Sequence, residues 1–214
     1  MEAEFWHKKW RNDQIGFHLQ KPHPYLLKYW NQLGLEGSGR VFIPLCGKSN
    51  DMVWLRAQGH ELLGIEFSPL AIDSFCKQVG GDFIADQVGV LNRYTGQGYS
   101  LLVGDYFALD RNIVGAVSGV YDRGSLIALS EEMRVDYVAL QRELLPSGAQ
   151  LLLITLEYDQ SEMTGPPFSV DAYEVNSLYA DWCDIERLES SAEVIDSPNK
   201  DMDIIECCYR LRVR

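Results

Sequence analysis

The chain has 214 residues, of which 46% are hydrophobic, which is enough to bury one sizeable core, and no linker or repeat divides it. Its formal net charge of -12 disfavours nucleic acid as a partner, because lysine and arginine must replace the phosphate counterions. The start MEAEFWHKKW is too charged for a signal peptide, no apolar run reaches membrane-spanning length, and the 5 cysteines form no CxxC pair. We therefore expect one cytoplasmic, monomeric domain over residues 1–214 that binds neither nucleic acid nor membrane.

Apolar strand-like runs alternate with helical patterns along the chain, which predicts an α/β fold with a mostly parallel sheet covered by helices on both faces. Strands are expected at 41–45, 61–66, 99–107, 117–124 and 150–158. Helices are expected from about 50 to 58, from 69 to 78 with Ser68 as N-cap, and from 131 to 144 with Ser130 as N-cap. The tail CYRLRVR alternates apolar residues with arginines, and this period of two predicts a half-exposed antiparallel strand.

The stretch VFIPLCGKSNDMVWL contains a GKS that invites comparison with a phosphate-binding loop. A Walker A loop needs a glycine five positions before the glycine of its GK pair, and here that position is Phe42, inside an apolar strand. A Rossmann glycine pattern also fails, because Gly47 is the only glycine of this turn. The stretch is therefore suited to holding a nucleoside and poorly suited to holding a pyrophosphate.

Ligands of open parallel sheets bind at the carboxyl ends of the strands, so the residues that close each strand are the candidate site residues. Glu66 closes the second strand, 19 positions after Gly47. This spacing is close to the one at which an acidic residue reaches the ribose of an adenosine in dinucleotide-binding folds. The alternative for Glu66 is a residue that only begins a turn.

Two further strand ends carry charge. Asp105 follows the third strand, where it meets an adenine amino group or else forms an ordinary Asx turn. Asp122 and Arg123 close the nearly apolar fourth strand. A charged pair at a buried strand end must be compensated, either by the partner residue or by a ligand. The sequence alone leaves both alternatives open for each of these ends.

Five segments together resemble one known family: FWHKKWRNDQIGFH, VFIPLCGKSNDMVWL, GIEFS, VYDRGSL and TGPPF. In this order and at these separations they resemble bacterial-type thiopurine S-methyltransferases, which are class I S-adenosylmethionine-dependent enzymes. The resemblance runs over nearly the whole chain. It implies a Rossmann-like fold with a mostly parallel seven-stranded sheet and an antiparallel carboxyl-terminal strand. It also implies that residues 1–30 cover the cofactor and the substrate.

The resemblance assigns site residues position by position. It implies that S-adenosylmethionine is contacted by Trp10, Leu45, Glu66, Asp105, Tyr106 and Arg123, with the backbone of Asp105 and Tyr106 meeting the adenine. Phe17 matches an aromatic residue that covers the cofactor and touches the acceptor. Arg123 also matches the position next to the acceptor and is the catalytic candidate. The segment from 187 to 200 supplies no counterpart of a second substrate arginine.

The implied activity is methyl transfer to aromatic or heterocyclic thiols such as thiopurines, with selenium or tellurium species as further acceptors. Two alternatives remain: a Rossmann-type NAD-dependent oxidoreductase and a non-catalytic S-adenosylmethionine-binding protein. The four histidines have no metal-binding or triad spacing, so we expect no metal. We expect Cys46 to fill a tight turn instead of acting as a nucleophile, and the GPPF loop to be either a lid or a plain surface turn.

Overall fold

The structure is a computed structural model that describes residues 3–35, 39–195 and 202–214. Its strands are β1 Arg40–Ile43, β2 Glu61–Glu66, β3 Ile84–Val88, β4 Leu91–Gly96, β5 Tyr99–Val103, β6 Gly119–Arg123, β7 Gln150–Glu157, β8 Cys183–Ile195 and β9 Met202–Val213. Its α-helices are α1 Ala3–Arg11, α2 Pro24–Tyr29, α3 Asn50–Ala57, α4 Pro69–Val79, α5 Arg111–Val114, α6 Glu131–Leu144 and α7 Ala172–Tyr179. Short 3-10 turns lie at Trp30–Leu33, Tyr106–Ala108 and Leu126–Ala128.

The strands of the described residues form one nine-stranded sheet in the order β3-β4-β5-β2-β1-β6-β7-β9-β8. The five strands β5, β2, β1, β6 and β7 are mutually parallel, and β9 runs antiparallel to β7 and β8. The seven strands from β5 to β8 in this order form the predicted seven-stranded sheet, and the antiparallel carboxyl-terminal strand is β9. The expected α/β class and mostly parallel core are confirmed.

The hairpin of β3 and β4 adds two strands that the sequence analysis did not predict. Its first strand is exposed along most of its length, so IADQV lacks the alternation of apolar and polar residues that marks a half-buried strand. The strands are joined at Gly89, which has a φ of +59°, and Arg93 donates to the cross-strand partner Asp86. The hairpin therefore depends on its turn and on a surface ion pair, which leave little periodic signal.

The central strands divide the hydrophobic core into two layers because successive side chains point to opposite faces of the sheet. Phe42 and Leu63 pack with Tyr137 of α6 on one face. Val41 and Leu62 pack with Met52, Leu55 and Phe75 on the other face, which α3 and α4 cover. Both faces of these strands are buried, which accounts for the uninterrupted apolar runs that predicted them.

The predicted helices begin where expected, although the two serines predicted as N-caps do not cap through their hydroxyls. Ser68 and Ser130 occupy the N-cap positions of α4 and α6, and among the described residues neither hydroxyl makes the capping hydrogen bond. The backbone N–H of Ser68 instead donates to the Glu66 carboxylate at 2.8 Å. The carboxylate of Glu66, at the end of β2, therefore holds a backbone N–H at the start of α4.

The amino-terminal segment contains a helix, Ala3–Arg11, which the sequence pattern did not predict. Its side chains are partly exposed, so the helix lies against the surface instead of in the core. Residues 1 and 2 of the predicted covering segment lie outside the described residues, as do residues 196–200 of the stretch from 187 to 200. Among the helices that the structure describes, none has the length and apolar character of a membrane span.

Candidate active site

A cavity of about 680 Å³ opens at the carboxyl ends of β1, β2 and β6. The chain passes from β1 to β2 on one side of it and later adds β6 on the other side. The order of strands therefore reverses here, and such a switch point is where open α/β sheets bind ligands. The turn after β1, the end of β2 and the end of β6 supply one side of the wall. Parts of α1, residues 14–19 and the 166–167 prolines supply the cover.

The turn after β1 has an unusual backbone that the sequence analysis did not anticipate. Leu45, predicted as the last residue of the strand, lies outside it with a φ of +44°, and Gly47 has a φ of +54°. A Cβ at Gly47 would approach the Trp10 ring to 3.3 Å. Position 47 therefore favours glycine for its backbone conformation, and a side chain there would also press on the Trp10 ring.

Glu66 lies at the end of β2 and is 7% exposed. One carboxylate oxygen accepts the backbone N–H of Gly47 at 2.9 Å, and the other accepts that of Ser68 at 2.8 Å. Burial raises the pKa of the Glu66 carboxyl above its ordinary value, while these backbone donors oppose the shift. A carboxylate offers about four acceptor positions, and the backbone of Ser68, Gly47 and Phe67 uses only part of them, so acceptor capacity remains for a ligand in the cavity.

Cys46 is buried in the turn between Leu45 and Gly47. A Cβ at Gly64 of β2 would lie only 2.8 Å from the Cys46 sulfur, so the thiol fills the space that this glycine leaves. Burial, with a contribution from the nearby Glu66 carboxylate, raises the pKa of the Cys46 thiol well above its ordinary value. These observations agree with the expected packing role and oppose a nucleophilic one.

Asp122 and Arg123 do not compensate each other, because they leave β6 on opposite faces of the sheet. Asp122 accepts the Tyr137 hydroxyl at 2.6 Å and the Gln141 amide at 3.1 Å in the core beneath α6. Arg123 lines the cavity, where its guanidinium donates to the Phe17 carbonyl at 3.3 Å and lies 3.7 Å from the Asp51 carboxylate. The alternation of one strand thus sends one charge to the core and the other to the site.

Aromatic residues of the amino-terminal segment cover the cavity. The rings of Trp6 and Trp10 meet the ring of Phe17 edge to face, with centroids 5.8 Å and 5.5 Å away. Phe17 remains 42% exposed, and all three residues line the cavity. The structure therefore brings the predicted residues Trp10 and Phe17 together with Leu45, Glu66 and Arg123.

Asp105 and Tyr106 are not among the described residues that line this cavity. Asp105 is exposed and accepts the backbone N–H of Phe107 at 3.0 Å, which is the Asx-type arrangement considered as its alternative. The Tyr106 side chain is buried in the core and its ring lies 4.6 Å from that of Tyr137. Contact of the backbone at these two residues with an adenine stays a prediction.

The histidines of the described chain take different roles. His23 and His18 line the cavity, and burial together with Lys48 and Arg123 lowers the pKa of His18. His60 is buried away from it, where its ring accepts the indole N–H of Trp30 at 2.9 Å. Within the described ranges no group of three or more His, Cys, Asp or Glu side chains could hold a metal ion.

Several cavity residues escaped the sequence analysis because they come from distant parts of the chain. His23 and Glu206 line the cavity, and hydrogen bonds join His23 to Glu206 of β9 and to Asp51 of α3, a set of contacts that the separation along the sequence hides. Pro166 and Pro167 of the GPPF loop line the cavity, so this loop is part of the site and not a plain surface turn. Only spatial proximity could have revealed the first group.

Comparison with known proteins identifies the family. Residues 1–210 match the family described as Thiopurine S-methyltransferase (TPMT). A thiopurine S-methyltransferase of Shewanella amazonensis is 45% identical over 198 residues, covering 92% of this chain and 91% of that protein. One from Pseudomonas putida is 43% identical over 198 residues with the same coverage, 92% and 91%. This chain belongs to the thiopurine S-methyltransferase family.

The solved structures support the fold. A 1,6-didemethyltoxoflavin-N1-methyltransferase of Burkholderia thailandensis, with bound 1,6-didemethyltoxoflavin and S-adenosylhomocysteine, is similar with a TM-score of 0.66. It is 13% identical, and the match covers 99% of this chain and 87% of that chain. At this identity the likeness shows the class I methyltransferase fold. The comparisons do not support an NAD-dependent oxidoreductase or a non-catalytic binding protein.

Members of the thiopurine S-methyltransferase family are enzymes that use S-adenosylmethionine, and the residues of this cavity fit that cofactor. The volume of about 680 Å³ lies within the range of small-molecule sites. A buried carboxylate with free acceptor positions suits a ribose diol, and the aromatic cover suits a planar base or a sulfonium cation. The turn at Gly47 leaves its backbone close to the ligand space.

The hydrogen bonds of Asp122 predict its effect on stability in this family member. Asp122→Ala leaves the Tyr137 hydroxyl and the Gln141 amide without their buried acceptor, so we expect the free energy of unfolding to fall by about 2–4 kcal/mol. Asp122→Asn retains an acceptor oxygen and should lose less. Urea unfolding measures both variants, with Asp184→Ala at an exposed position as the control. An Asp122→Ala loss no larger than that of the control would contradict the structural role.

Proposed function

We propose that this protein transfers the methyl group of S-adenosylmethionine to the sulfur of small aromatic or heterocyclic thiols, with thiopurines as the model acceptors. One observation carries the proposal: a single cavity at the switch point of the sheet is lined by both Glu66 and Arg123, in a chain of the thiopurine S-methyltransferase family. The names of its relatives supply the acceptor class. Selenium and tellurium species belong in the same acceptor screen.

The cofactor half of the cavity is the turn after β1 and the end of β2. Glu66 accepts the two ribose hydroxyls with the acceptor positions that Gly47 and Ser68 leave free. Leu45 and Trp10 contact the cofactor from either side of the turn. The backbone of Asp105 and Tyr106 meets the adenine, a role that the resemblance alone supports.

The acceptor half lies between Arg123, Phe17 and the 166–167 prolines. Phe17 and the prolines offer flat apolar surfaces to an aromatic acceptor. Arg123 offers a cation to a sulfur that carries negative charge, and Asp51 together with the Phe17 carbonyl limits the directions in which the guanidinium can point. The charged head is therefore held in place before the acceptor arrives.

Bound S-adenosylmethionine supplies an electrophilic methyl group on its sulfonium. The residues of the chain align the acceptor sulfur with this group and exclude water, and alignment of this kind can contribute roughly 7–11 kcal/mol to lowering the barrier. Arg123 stabilises the ionised thiol, whose proton passes to solvent before transfer. A protein base is not needed when the acceptor ionises near neutral pH. Cys46 takes no part because it is buried and protonated.

We propose a monomer as the working unit. The five cysteines are free, which supports a reducing compartment such as the cytoplasm. The excess of acidic over basic residues supports a small-molecule substrate in preference to nucleic acid.

The wild-type protein is expected to form S-adenosylhomocysteine from S-adenosylmethionine when 6-mercaptopurine is added. Arg123→Ala should lower kcat/KM for this acceptor by about tenfold or more, because a desolvated charged contact is lost. Arg123→Lys should recover only part, since a point charge cannot replace the planar guanidinium. Chromatography of the products measures turnover, and Arg93→Ala on the exposed hairpin is the matched control.

Equal turnover by the wild type and Arg123→Ala would remove Arg123 from the site. The proposed function would be wrong if the protein binds S-adenosylhomocysteine but transfers no methyl group to any sulfur, selenium or tellurium acceptor tested.

Glu66→Gln is expected to weaken S-adenosylhomocysteine binding by about tenfold, because a neutral amide provides weaker acceptors than a carboxylate. Glutamine retains an oxygen for Gly47 or Ser68, so this change disturbs the turn less than alanine would. Calorimetric titration measures the dissociation constant. An unchanged constant would show that the ribose assignment is wrong.

The raised pKa of Glu66 adds a pH signature to the same experiment. Because the ionised form binds the ribose, affinity should fall as the pH drops through the raised pKa, at a higher pH than the ordinary value of 4.5 would give. Glu66→Gln has no such group and should lack this decline. A parallel pH dependence in both proteins would assign the titration to another residue.

Residues from about Trp10 to Phe17 are expected to form a closing segment over the bound cofactor. Trp10 over Gly47 and Phe17 beside Arg123 are the contacts that ligand binding would strengthen. The amides of 8–20 should therefore exchange fast in the free protein and slowly with S-adenosylhomocysteine, while those of α6 stay unchanged. Hydrogen exchange measured by mass spectrometry tests this. Slow exchange in both states would make the segment a permanent part of the fold.

A further inference from the structure

A second ionisable side chain lies on the acceptor side of the cavity. Glu206 of β9 lines the cavity, and its side chain is 16% exposed. Its register partner on β7 is Leu156, which lines the same wall. None of the roles described so far uses this carboxylate.

The order of the strands in the sheet sets the distance between Glu206 and the residues that are proposed to bind the cofactor. Strand β9 lies four positions from β2, which carries Glu66, and two positions from β6, which carries Arg123. With about 4.8 Å between neighbouring strands, these separations are roughly 19 Å and roughly 10 Å. Arg123 thus lies between the ribose carboxylate and Glu206. A flat heterocycle with its sulfur at Arg123 has room for its far edge to approach Glu206.

Glu206 is held in a defined orientation by His23. The backbone N–H of Tyr25 donates to Nδ1 of His23 at 3.2 Å, so Nε2 carries the proton in the neutral ring. This Nε2 lies 3.1 Å from Oε1 of Glu206, to which it donates. The Tyr25 hydroxyl also donates to the Glu206 backbone carbonyl at 3.3 Å. The second oxygen, Oε2, has no protein donor among the described residues.

The same network fixes Glu206 relative to Arg123. The backbone N–H of His23 donates to Oδ1 of Asp51 at 2.7 Å, and Oδ2 of that carboxylate lies 3.7 Å from the Arg123 guanidinium. The Tyr121 hydroxyl donates to Oδ2 at 3.0 Å, which holds Asp51 to the sheet. A cation and a carboxylate are therefore presented to the acceptor from one connected set of hydrogen bonds.

We propose that Glu206, oriented by His23, accepts a hydrogen bond from a ring N–H or amino group of the acceptor while Arg123 attracts its sulfur. The inference rests on the proposed function and names the acceptor class more closely: heterocyclic thiols with an N–H donor on the edge away from sulfur. A thiol without such a donor leaves a partly buried carboxylate oxygen desolvated and unpaired, which is the strongest basis for rejecting an analogue.

The test compares 6-mercaptopurine, which carries N–H donors, with benzenethiol, which has none beyond its thiol. Calorimetry measures binding of each to the protein loaded with S-adenosylhomocysteine, and product formation gives kcat/KM for each. In Glu206→Gln the preference for 6-mercaptopurine over benzenethiol should fall by about tenfold in both measurements. The affinity for S-adenosylhomocysteine itself should not change, because Glu206 lies far from the ribose carboxylate.

Glu189→Gln is the matched control, because it removes the same charge from the neighbouring strand β8. Glu189 accepts from Lys28 at 2.6 Å and from Tyr29 at 2.5 Å and is not among the described residues that line the cavity. This variant should keep the wild-type preference.

An unchanged preference in Glu206→Gln would overturn the inference, and so would an equal loss for both acceptors, which would indicate a structural role. Failure of the proposed function looks different. If the wild type transfers no methyl group to either thiol but binds 6-mercaptopurine with an affinity that depends on Glu206, the recognition role stands and the assigned reaction is wrong.

Discussion

The geometry of the site depends on one buried carboxylate. Glu66 accepts backbone N–H groups from Gly47 and from Ser68, and so joins the turn after β1 to the end of β2. A backbone with left-handed positions on both sides of Cys46, at Leu45 and Gly47, is unfavourable without such partners. The carboxylate satisfies these donors and still has acceptor positions toward the cavity. The residue that would bind the cofactor is therefore also the one that shapes its binding turn, and its roles in stability and affinity are coupled.

Successive side chains of β6 point to opposite faces of the sheet, so the neighbours Asp122 and Arg123 have different roles. Asp122 turns to the layer beneath α6 and satisfies Tyr137 and Gln141, while Arg123 turns to the cavity. Burial raises the pKa of the Asp122 carboxyl, and its hydrogen-bond donors counteract that shift. Because Asp122 has its own partners, Arg123 is not neutralised by its neighbour in sequence. Its cation stays available to a ligand, held at the cavity wall by Asp51 in the first turn of α3.

The sequence predicted the parts of this protein that are encoded locally. Buried parallel strands appear as apolar runs, and a carboxylate at a strand end such as Glu66 can be located by its distance from Gly47 along the chain. The β3–β4 hairpin and the long strand β8 were not predicted, because their exposed, polar residues carry little periodic signal. The contact between His23 and Glu206 spans 183 positions and has no local signature. Fold class and cofactor side are thus largely local information, whereas the acceptor side is assembled by tertiary contacts.

Hydrogen bonds to Asp51 hold one end of the segment that follows α1, which has no regular secondary structure and yet forms part of the site. Asp51 is 1% exposed, and its carboxylate accepts from the His23 backbone and the Tyr121 hydroxyl, so residue 23 is tied to the sheet. At the other end of the segment Trp10 rests on Gly47. Between these two attachments, residues 12–22 form no helix or strand, and the Phe17 carbonyl meets Arg123. Because this stretch is attached at both ends, it can open and close over the cavity while staying beside it. The free-energy cost of such a local motion is little more than that of the local contacts that are broken.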